Sequence, residues 1–224
     1  ACTSARTIVV FILKASACSL IKKPISKRRI FNSEWGEFMA RAFVFPGQGS
    51  QFVGMGKDLA AAEASARLVF EEVDDALNAK LSRIIFEGPE EDLRLTENTQ
   101  PALMAVSIAV ARVLEERVGD LQDHASHVAG HSLGEYSALA ASGAISLSDT
   151  ARLLRLRGQA MQRAVPFGEG AMAALLGLDF ADAKTIAEEA AASGGVCTSA
   201  NDNAPGHVVI SGHKATVERA IEIA

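Results

Sequence analysis

The strongest structural signal in the chain is His127-Val-Ala-Gly-His-Ser-Leu-Gly-Glu-Tyr-Ser-Ala-Leu139, with Ser132 at its centre. The apolar approach through Val128 and Ala129 predicts the end of a buried strand. The residues from Leu133 onward predict a helix that begins at once. A serine between a strand end and a helix start is typical of a nucleophile elbow on an α/β sheet.

A steric requirement explains the two glycines of the Gly-x-Ser-x-Gly spacing. A larger residue at Gly130 or Gly134 would collide with the strand or the helix at so sharp a turn. The backbone N–H of Leu133, at the N-terminus of the helix, would point at an oxyanion formed on an acyl group carried by Ser132. The five-residue pattern is also compatible with a simple turn, and the predicted strand and helix favour the elbow.

Composition sets the size and class of the protein. The chain has 224 residues, of which 49% are apolar, so it can bury a large core in one large domain or two smaller ones. The net charge of −5 argues against a nucleic-acid partner. Lys14 interrupts the one apolar run near the N-terminus, so no membrane span is predicted. Three widely spaced cysteines favour a reducing compartment and show no metal-ligand clustering: Cys2, Cys18 and Cys197.

Residues 1–38 differ from the rest of the chain in charge. They carry seven basic and two acidic side chains, a net of +5, whereas the remainder carries −10. Three interpretations are open: an organellar transit peptide, a short secretory signal, or sequence upstream of a natural start at Met39. We favour the third, because Met39 leads directly into a strand. We expect this leader to lie outside the catalytic fold and to be poorly ordered.

Hydrophobic periodicity predicts alternating strands and helices from residue 39 to residue 165. A buried strand is expected at 42–45, followed by the loop Pro46–Gln51, which is rich in glycine and amide side chains. Helices are expected at 57–78, after the turn at Phe86, at 96–118 and at 146–165. The last of these has a predicted apolar stripe of Leu153, Leu154, Leu156 and Met161. Its four arginines are Arg152, Arg155, Arg157 and Arg163, and for most of them a solvated helix face is the better prediction.

A second unit is predicted after Pro166, which ends the helix. Strand-like and helical segments follow one another at 171–178, 180–192, 196–199, 207–211 and 214–224. The order βαββα is that of a ferredoxin-like unit whose last strand is absent.

Six motifs occur in the order seen in the malonyl-CoA:acyl carrier protein transacylases of fatty-acid synthesis, which the chain resembles from Met39 to Ala224. They are Phe45-Pro-Gly-Gln-Gly-Ser-Gln51, Thr99-Gln-Pro-Ala102, Gly130-His-Ser-Leu-Gly-Glu-Tyr-Ser-Ala138, Arg157-Gly158, Gly170-Ala-Met-Ala173 and Asn203-Ala-Pro-Gly-His-Val-Val-Ile210. The resemblance implies an α/β fold, a hydrolase-like parallel-sheet core (39–165) with an inserted ferredoxin-like small subdomain (166–224), both incomplete at the C-terminus. It also implies an active site in the gorge between them.

The resemblance also implies the roles of individual residues. A malonyl group moves from coenzyme A to the phosphopantetheine thiol of acyl carrier protein through an acyl-serine. The family positions are matched by Ser132 as nucleophile, the backbone N–H groups of Gln48 and Leu133 as oxyanion hole, Arg157 as the clamp on the malonyl carboxylate, and His131, Gly130 and Gly134 as supporting residues. A planar guanidinium can hold a carboxylate through two parallel hydrogen bonds. For Arg157 we therefore favour carboxylate binding over the solvated helix face that is predicted for its neighbours.

The chain departs from the family at the catalytic base. The family's histidine lies beyond the ferredoxin-like unit, and none of the five histidines matches it: His124, His127, His131, His207 and His213. We therefore expect the chain to be part of a protein of about 300 residues. We also expect these residues alone to be inactive or nearly so, because a serine hydroxyl needs a base at neutral pH.

Three other functions are open. A polyketide-synthase acyltransferase shares the elbow, but a start at Met39 favours a stand-alone enzyme. A serine esterase or thioesterase has no need of the Arg157 clamp. A non-catalytic module that binds carrier protein would explain the missing histidine.

The partners implied are malonyl-CoA and acyl carrier protein. No cofactor or metal is expected, because the acyl group arrives activated as a thioester. We expect a monomer in the cytoplasm that binds neither nucleic acid nor membrane, or a mitochondrial or plastid protein if residues 1–38 are a transit peptide.

Overall fold

The computed structural model describes residues 41–166 and 168–224, together with the backbone of residues 9–12. The chain divides into two compact units, residues 1–160 and 161–224. Each has its own apolar core. The division falls inside helix α7, a few residues before the predicted boundary at 166.

The first unit is a parallel sheet with helices. Its strands are β1 (Val9–Ile12), β2 (Arg41–Phe45) and β3 (His127–Gly130), in the order β1-β2-β3. Its helices are α1 (Lys57–Ala62), α2 (Ala64–Leu77), α3 (Leu81–Glu87), α4 (Glu90–Arg94), α5 (Thr96–Val118), α6 (Leu133–Ala141) and α7 (Leu147–Ala164). The mixed α/β class and the parallel sheet are therefore confirmed.

Helix α5 forms the centre of the core. Every residue from 98 to 111 is buried, so the helix is enclosed on all sides rather than along one stripe. Phe43 and Phe45 of β2 and Leu133 of α6 belong to the same core. The strand that carries the 46–51 loop and the helix that follows Ser132 are thus anchored in one cluster.

The prediction of a buried strand before the elbow is wrong. The first three residues of β3 are exposed, and Val128 keeps 38% of its surface accessible. The reason is the position of the strand in the sheet: β3 pairs with β2 along one edge, and no further strand pairs with it among the described residues. Two apolar residues before a turn indicate a strand, but they do not say whether both sides of it are covered.

Val9–Ile12, which the sequence assigns to the leader, lie in a strand. These residues form β1, which pairs in parallel with β2 through the register Val9–Arg41 to Ile12–Val44. A short apolar run can add to a sheet edge that offers free N–H and C=O groups, whatever the charge of its flanks. The rest of the predicted leader lies outside the described residues.

Two helical predictions also need correction. The helix expected at 57–78 is broken at Glu63, which has extended backbone angles of φ −125° and ψ 124° and separates α1 from α2. The apolar stripe expected along α7 is largely exposed: Leu154 is buried, whereas Leu153 and Leu156 are 42% and 57% exposed. Met161 is also exposed. Periodicity identifies the helix correctly but does not show what covers its apolar side.

The second unit has an antiparallel sheet with two helices. Its elements are β4 (Gly170–Leu176), α8 (Phe180–Ala192), β5 (Cys197–Ala204), β6 (His207–His213) and α9 (Lys214–Ile223), and the sheet order is β4-β6-β5. One face of β4 packs through Ala171, Ala173 and Leu175 into a core shared with α8 and α9. The order βαββα, with the third strand between the first two, is that of a ferredoxin-like unit.

Candidate active site

Ser132 lies in the strained conformation that an elbow requires. It connects β3 to α6 with φ 55° and ψ −111°, and positive φ is uncommon for a residue other than glycine. A Cβ on Gly130 would lie 2.0 Å from the carbonyl carbon of Gly134, and a Cβ on Gly134 would lie 2.4 Å from the carbonyl oxygen of Phe45. Both positions therefore admit only glycine. The Ser132 side chain is exposed at the tip of the turn.

The loop after β2 lies directly against the elbow. The His131 backbone N–H donates to the Phe45 carbonyl oxygen at 3.2 Å, and a Cβ on Gly47 would lie 2.7 Å from His131 Nδ1. Gln51 stabilises the loop, because its Oε1 accepts a hydrogen bond from the Gly49 backbone N–H at 2.8 Å. The His131 backbone is thus bonded to the end of β2, and its ring leaves no room for a side chain at position 47.

The two backbone donors expected to bind an oxyanion are available. Within residues 41–166 and 168–224, the N–H groups of Gln48 and Leu133 make no hydrogen bond. Leu133 begins α6, so its N–H is one of the groups that a helix leaves unsatisfied at its N-terminus. An anion beside Ser132 would be stabilised there.

Arg157 contacts the elbow serine. Its Nη2 donates to Ser132 Oγ at 2.9 Å, and its Nη1 donates to Gln100 Oε1 at 2.5 Å. Its Cζ also lies 5.9 Å from the centroid of the Tyr136 ring, within the range of a cation–π contact. The structure therefore places the Arg157 guanidinium against Ser132 Oγ. Sequence reasoning assigned no role to Gln100 or Tyr136, although both lie within motifs that carried the resemblance.

A glycine sets the distance between the helices that carry these side chains. A Cβ on Gly158 would lie 2.5 Å from Glu97 Cα and 2.7 Å from the Thr96 carbonyl oxygen. The backbones of α7 and α5 are therefore in direct contact beside Arg157. This close crossing brings Arg157 within reach of Gln100.

Arg155 is not a simple solvated arginine. Its Nε is buried without a hydrogen-bond partner within the described ranges. Desolvation lowers the pKa of Arg155, and the negative charge of Glu97 partly opposes this shift. Arg152 differs, since it is exposed and pairs with Asp149 at 3.0 Å, as expected of a solvated helix face.

None of the histidines in residues 41–166 and 168–224 hydrogen-bonds Ser132 Oγ, whose partner is Arg157. His124 Nε2 contacts the Val118 carbonyl oxygen, His127 Nδ1 contacts Ser126 Oγ, and His213 Nδ1 accepts from the Val196 N–H. These contacts are ordinary packing and surface roles, as predicted.

The described residues show neither a metal site nor a membrane helix. No group of three or more His, Cys, Asp or Glu side chains in this part of the chain could hold a metal ion. None of its helices has the length and apolar character needed to span a bilayer.

The fold and the elbow define the class of this protein as an α/β protein built around a strained serine. Comparison with known families is more specific: the model of the acyl transferase domain matches residues 42–223, and the chain belongs to that family. The match leaves the 1–38 leader outside the family.

Relatives with known names support the same assignment. The malonyl CoA-acyl carrier protein transacylase of Bacillus subtilis is 50% identical over 183 residues, covering 82% of this chain and 56% of that protein. The crystal structure of acyl-carrier-protein-S-malonyltransferase from Bartonella henselae is 60% identical with a TM-score of 0.78, covering 83% of this chain and 59% of that one.

A third similar structure contains a carrier protein. It is a malonyl-transacylase in complex with its type II polyketide-synthase acyl-carrier protein, 46% identical with a TM-score of 0.74, covering 81% of this chain and 57% of that one. The chain thus spans less than three fifths of the length of each of these three relatives.

Proposed function

We propose that the protein containing this chain transfers a malonyl group from malonyl-CoA to the phosphopantetheine thiol of acyl carrier protein, in fatty acid biosynthesis. The observation that carries the proposal is the hydrogen bond from Arg157 to Ser132 Oγ. It joins a nucleophile to a cation that can bind a carboxylate. The family and the names of its relatives agree with this reaction.

The reaction has two balanced steps. Ser132 Oγ attacks the thioester carbonyl and gives its proton to a base, which passes that proton to the coenzyme A sulfur as the thiol leaves. The same base then takes the proton of the carrier thiol, which attacks the ester, and returns that proton to Ser132 Oγ as the serine leaves. Each tetrahedral oxyanion would lie against the N–H groups of Gln48 and Leu133, and one such donor is worth about 3 to 4 kcal/mol of barrier. The activated thioester supplies the driving force, so the proposal includes no cofactor.

Arg157 selects the acyl group that the site accepts. When the malonyl group is on Ser132, its free carboxylate is within two carbons of the ester carbonyl, so a cation beside Oγ can reach it. An acetyl group offers no carboxylate and leaves the guanidinium desolvated without a counter-charge, which is unfavourable. The site therefore favours a dicarboxylic thioester over a neutral one.

The substitution Arg157→Ala tests this proposal. Malonyl-CoA and acetyl-CoA compete for the full-length protein, and mass spectrometry measures the acyl group retained on Ser132. A hydrogen bond to a charged group is worth about 1.5 to 3 kcal/mol, so the malonyl preference should fall at least about tenfold.

Two control variants separate the possible outcomes. Arg152→Ala removes an exposed arginine from the same helix and should leave the preference unchanged, whereas Ser132→Ala should abolish the adduct. An unchanged preference in R157A would contradict the specificity argument. Rapid hydrolysis in place of transfer would indicate an esterase, and no adduct in the wild type would leave a module that only binds carrier protein.

A polyketide-type acyltransferase is the second candidate, because one similar structure binds a polyketide-synthase carrier. The malonyl-loaded protein should be offered carrier proteins from fatty-acid and from polyketide synthesis. Faster transfer to the fatty-acid carrier supports the first proposal, and faster transfer to the other supports the second. We further propose a monomer in the cytoplasm, which gel filtration and cell fractionation test.

A further inference from the structure

We infer that Gln100 is a positioning residue that orients the Arg157 guanidinium toward Ser132, and thereby sets the preference for a carboxylate-bearing acyl group. This inference rests on the proposed function and deepens it. Its basis is the hydrogen bond from Arg157 Nη1 to Gln100 Oε1, at 2.5 Å, on the side of the guanidinium that does not contact Ser132.

Gln100 differs from its polar neighbours in what it contacts. Asn98, Thr99 and Gln100 are consecutive buried polar residues near the start of α5. Asn98 Nδ2 donates to the Asp92 carbonyl oxygen at 2.8 Å, and Thr99 Oγ1 donates to the Leu93 carbonyl oxygen at 2.5 Å. These two side chains join α5 to α4. Gln100 instead receives its bond from a residue 57 positions away, on α7.

Packing holds the Gln100 side chain in place independently of its bond to Arg157. Gln100 is fully buried, with 0% of its surface exposed, so packing restricts its rotamer. Arg157 is only partly buried, and a free arginine side chain has up to about 2 kcal/mol of rotamer entropy to lose. A rigid carbonyl that holds Nη1 directs Nη2 at Ser132 Oγ. The Tyr136 ring contacts the same guanidinium with its centroid 5.9 Å from Cζ, a cation–π contact that is less directional than a hydrogen bond.

An amide suits this role better than a carboxylate would. A neutral acceptor orients the guanidinium without cancelling its charge, so the cation stays available to the malonyl carboxylate. A glutamate at position 100 would hold the guanidinium in place but would compete with the substrate for it. Substitutions at position 100 can therefore test separately how the Arg157 guanidinium is oriented and how available its charge is to the substrate.

The test compares two substitutions of Gln100 in the full-length protein. Gln100→Met keeps a side chain of similar length without the acceptor, and we expect its malonyl-to-acetyl loading ratio on Ser132 to fall at least about tenfold. Gln100→Glu keeps the acceptor and adds charge, so we expect KM for malonyl-CoA to rise while kcat changes less. Asn98→Ala, a buried amide one residue from Thr99 on the same helix, should lower stability without changing the ratio.

A crystal structure of Q100M supplies a readout that needs no activity. We expect Arg157 Nη2 to leave hydrogen-bond distance of Ser132 Oγ in Q100M and to stay there in Q100E. A loading ratio within about twofold of wild type in Q100M overturns the inference. If Q100M does not fold, a KM in Q100E equal to that of wild type overturns it. If the wild type loads no malonyl group, the proposed function fails, and the position of Arg157 in Q100M alone decides the role of Gln100.

Discussion

At the scale of single residues, the geometry of the site depends on two glycines as much as on the side chains around them. Gly130 and Gly134 leave no room for a Cβ between β3, α6 and the carbonyl oxygen of Phe45. This tight packing holds Ser132 at a positive φ that its own backbone preferences oppose. The nucleophile is therefore positioned by its neighbours, while its own side chain stays exposed for reaction.

Cys197 gives a residue-scale prediction about pH. The thiol is 8% exposed in the core of the second unit, and burial raises its pKa. Because the folded protein keeps this proton to higher pH than the unfolded chain, its contribution to stability is complete below the unfolded-state thiol pKa of about 8.5. That contribution is lost as the pH rises through the folded-state pKa. Urea unfolding at about pH 7 and about pH 9.5 should therefore show a larger loss of stability in wild type than in Cys197→Ala. Equal losses in the two proteins would contradict this assignment.

At the scale of elements, the crossing of α5 and α7 decides whether the cation reaches the serine. Ser146 precedes helix α7 and caps its N-terminus, since its Oγ accepts from the Asp149 N–H at 3.1 Å. Gly158 then brings the helix into backbone contact with the start of α5. Arg157 and Gln100 meet because both helices are rigid on either side of that contact.

The substitution Gly158→Ala tests the crossing. Its Cβ would lie 2.5 Å from Glu97 Cα, a backbone atom that cannot rotate away, so the helices must separate. We expect a loss of stability of about 1 to 3 kcal/mol, as in other overpacked cores. We also expect a lower malonyl preference, because Arg157 moves with the helix. Urea unfolding and competitive acyl loading measure the two effects. Gln159→Ala, at the next position of the helix, is the control, and a G158A protein as stable and selective as Q159A would disprove the role of the crossing.

At the scale of the whole molecule, the hydroxyl of Ser132 has no base bonded to it in the part of the chain that the structure describes. No histidine of the described ranges bonds to its hydroxyl, and Arg157 is a donor that cannot accept its proton. General-base catalysis contributes about 10²- to 10⁴-fold to reactions of this kind. The residues proposed as nucleophile, oxyanion donors and clamp are thus present, and no base is bonded to Ser132 Oγ among the residues that the structure describes.

A polypeptide of these 224 residues should therefore load malonyl slowly. We expect single-turnover acylation of Ser132 by malonyl-CoA to be at least about 100-fold slower than in the Bacillus subtilis relative. The rate should rise with pH, as hydroxide replaces the base. Ser132→Ala defines the background, and circular dichroism shows that the polypeptide is folded. A rate close to that of the relative would refute the prediction.

The features that could be predicted are those with a local cause. Helix α5 runs from Thr96 to Val118 as its periodicity indicates, and the Gly-x-Ser-x-Gly spacing corresponds to the turn at Ser132. The break at Glu63 and the exposure of Leu156 were missed. The periodicity continues through Glu63, and an apolar stripe on a helix does not show which neighbour covers it.

Local sequence specifies the turn at Ser132 and the order βαββα of the second unit, because each follows from residues close together in the chain. The role of Arg157 as a clamp stays a prediction from a family motif. Only the tertiary structure decided that Gln100 holds Arg157, that β3 is exposed and that Val9–Ile12 join the sheet. The contact between Gln100 and Arg157 joins residues 57 positions apart, and the other two features depend on which strand edges are covered. They arise from the packing of helices and strands against one another, which no local pattern encodes.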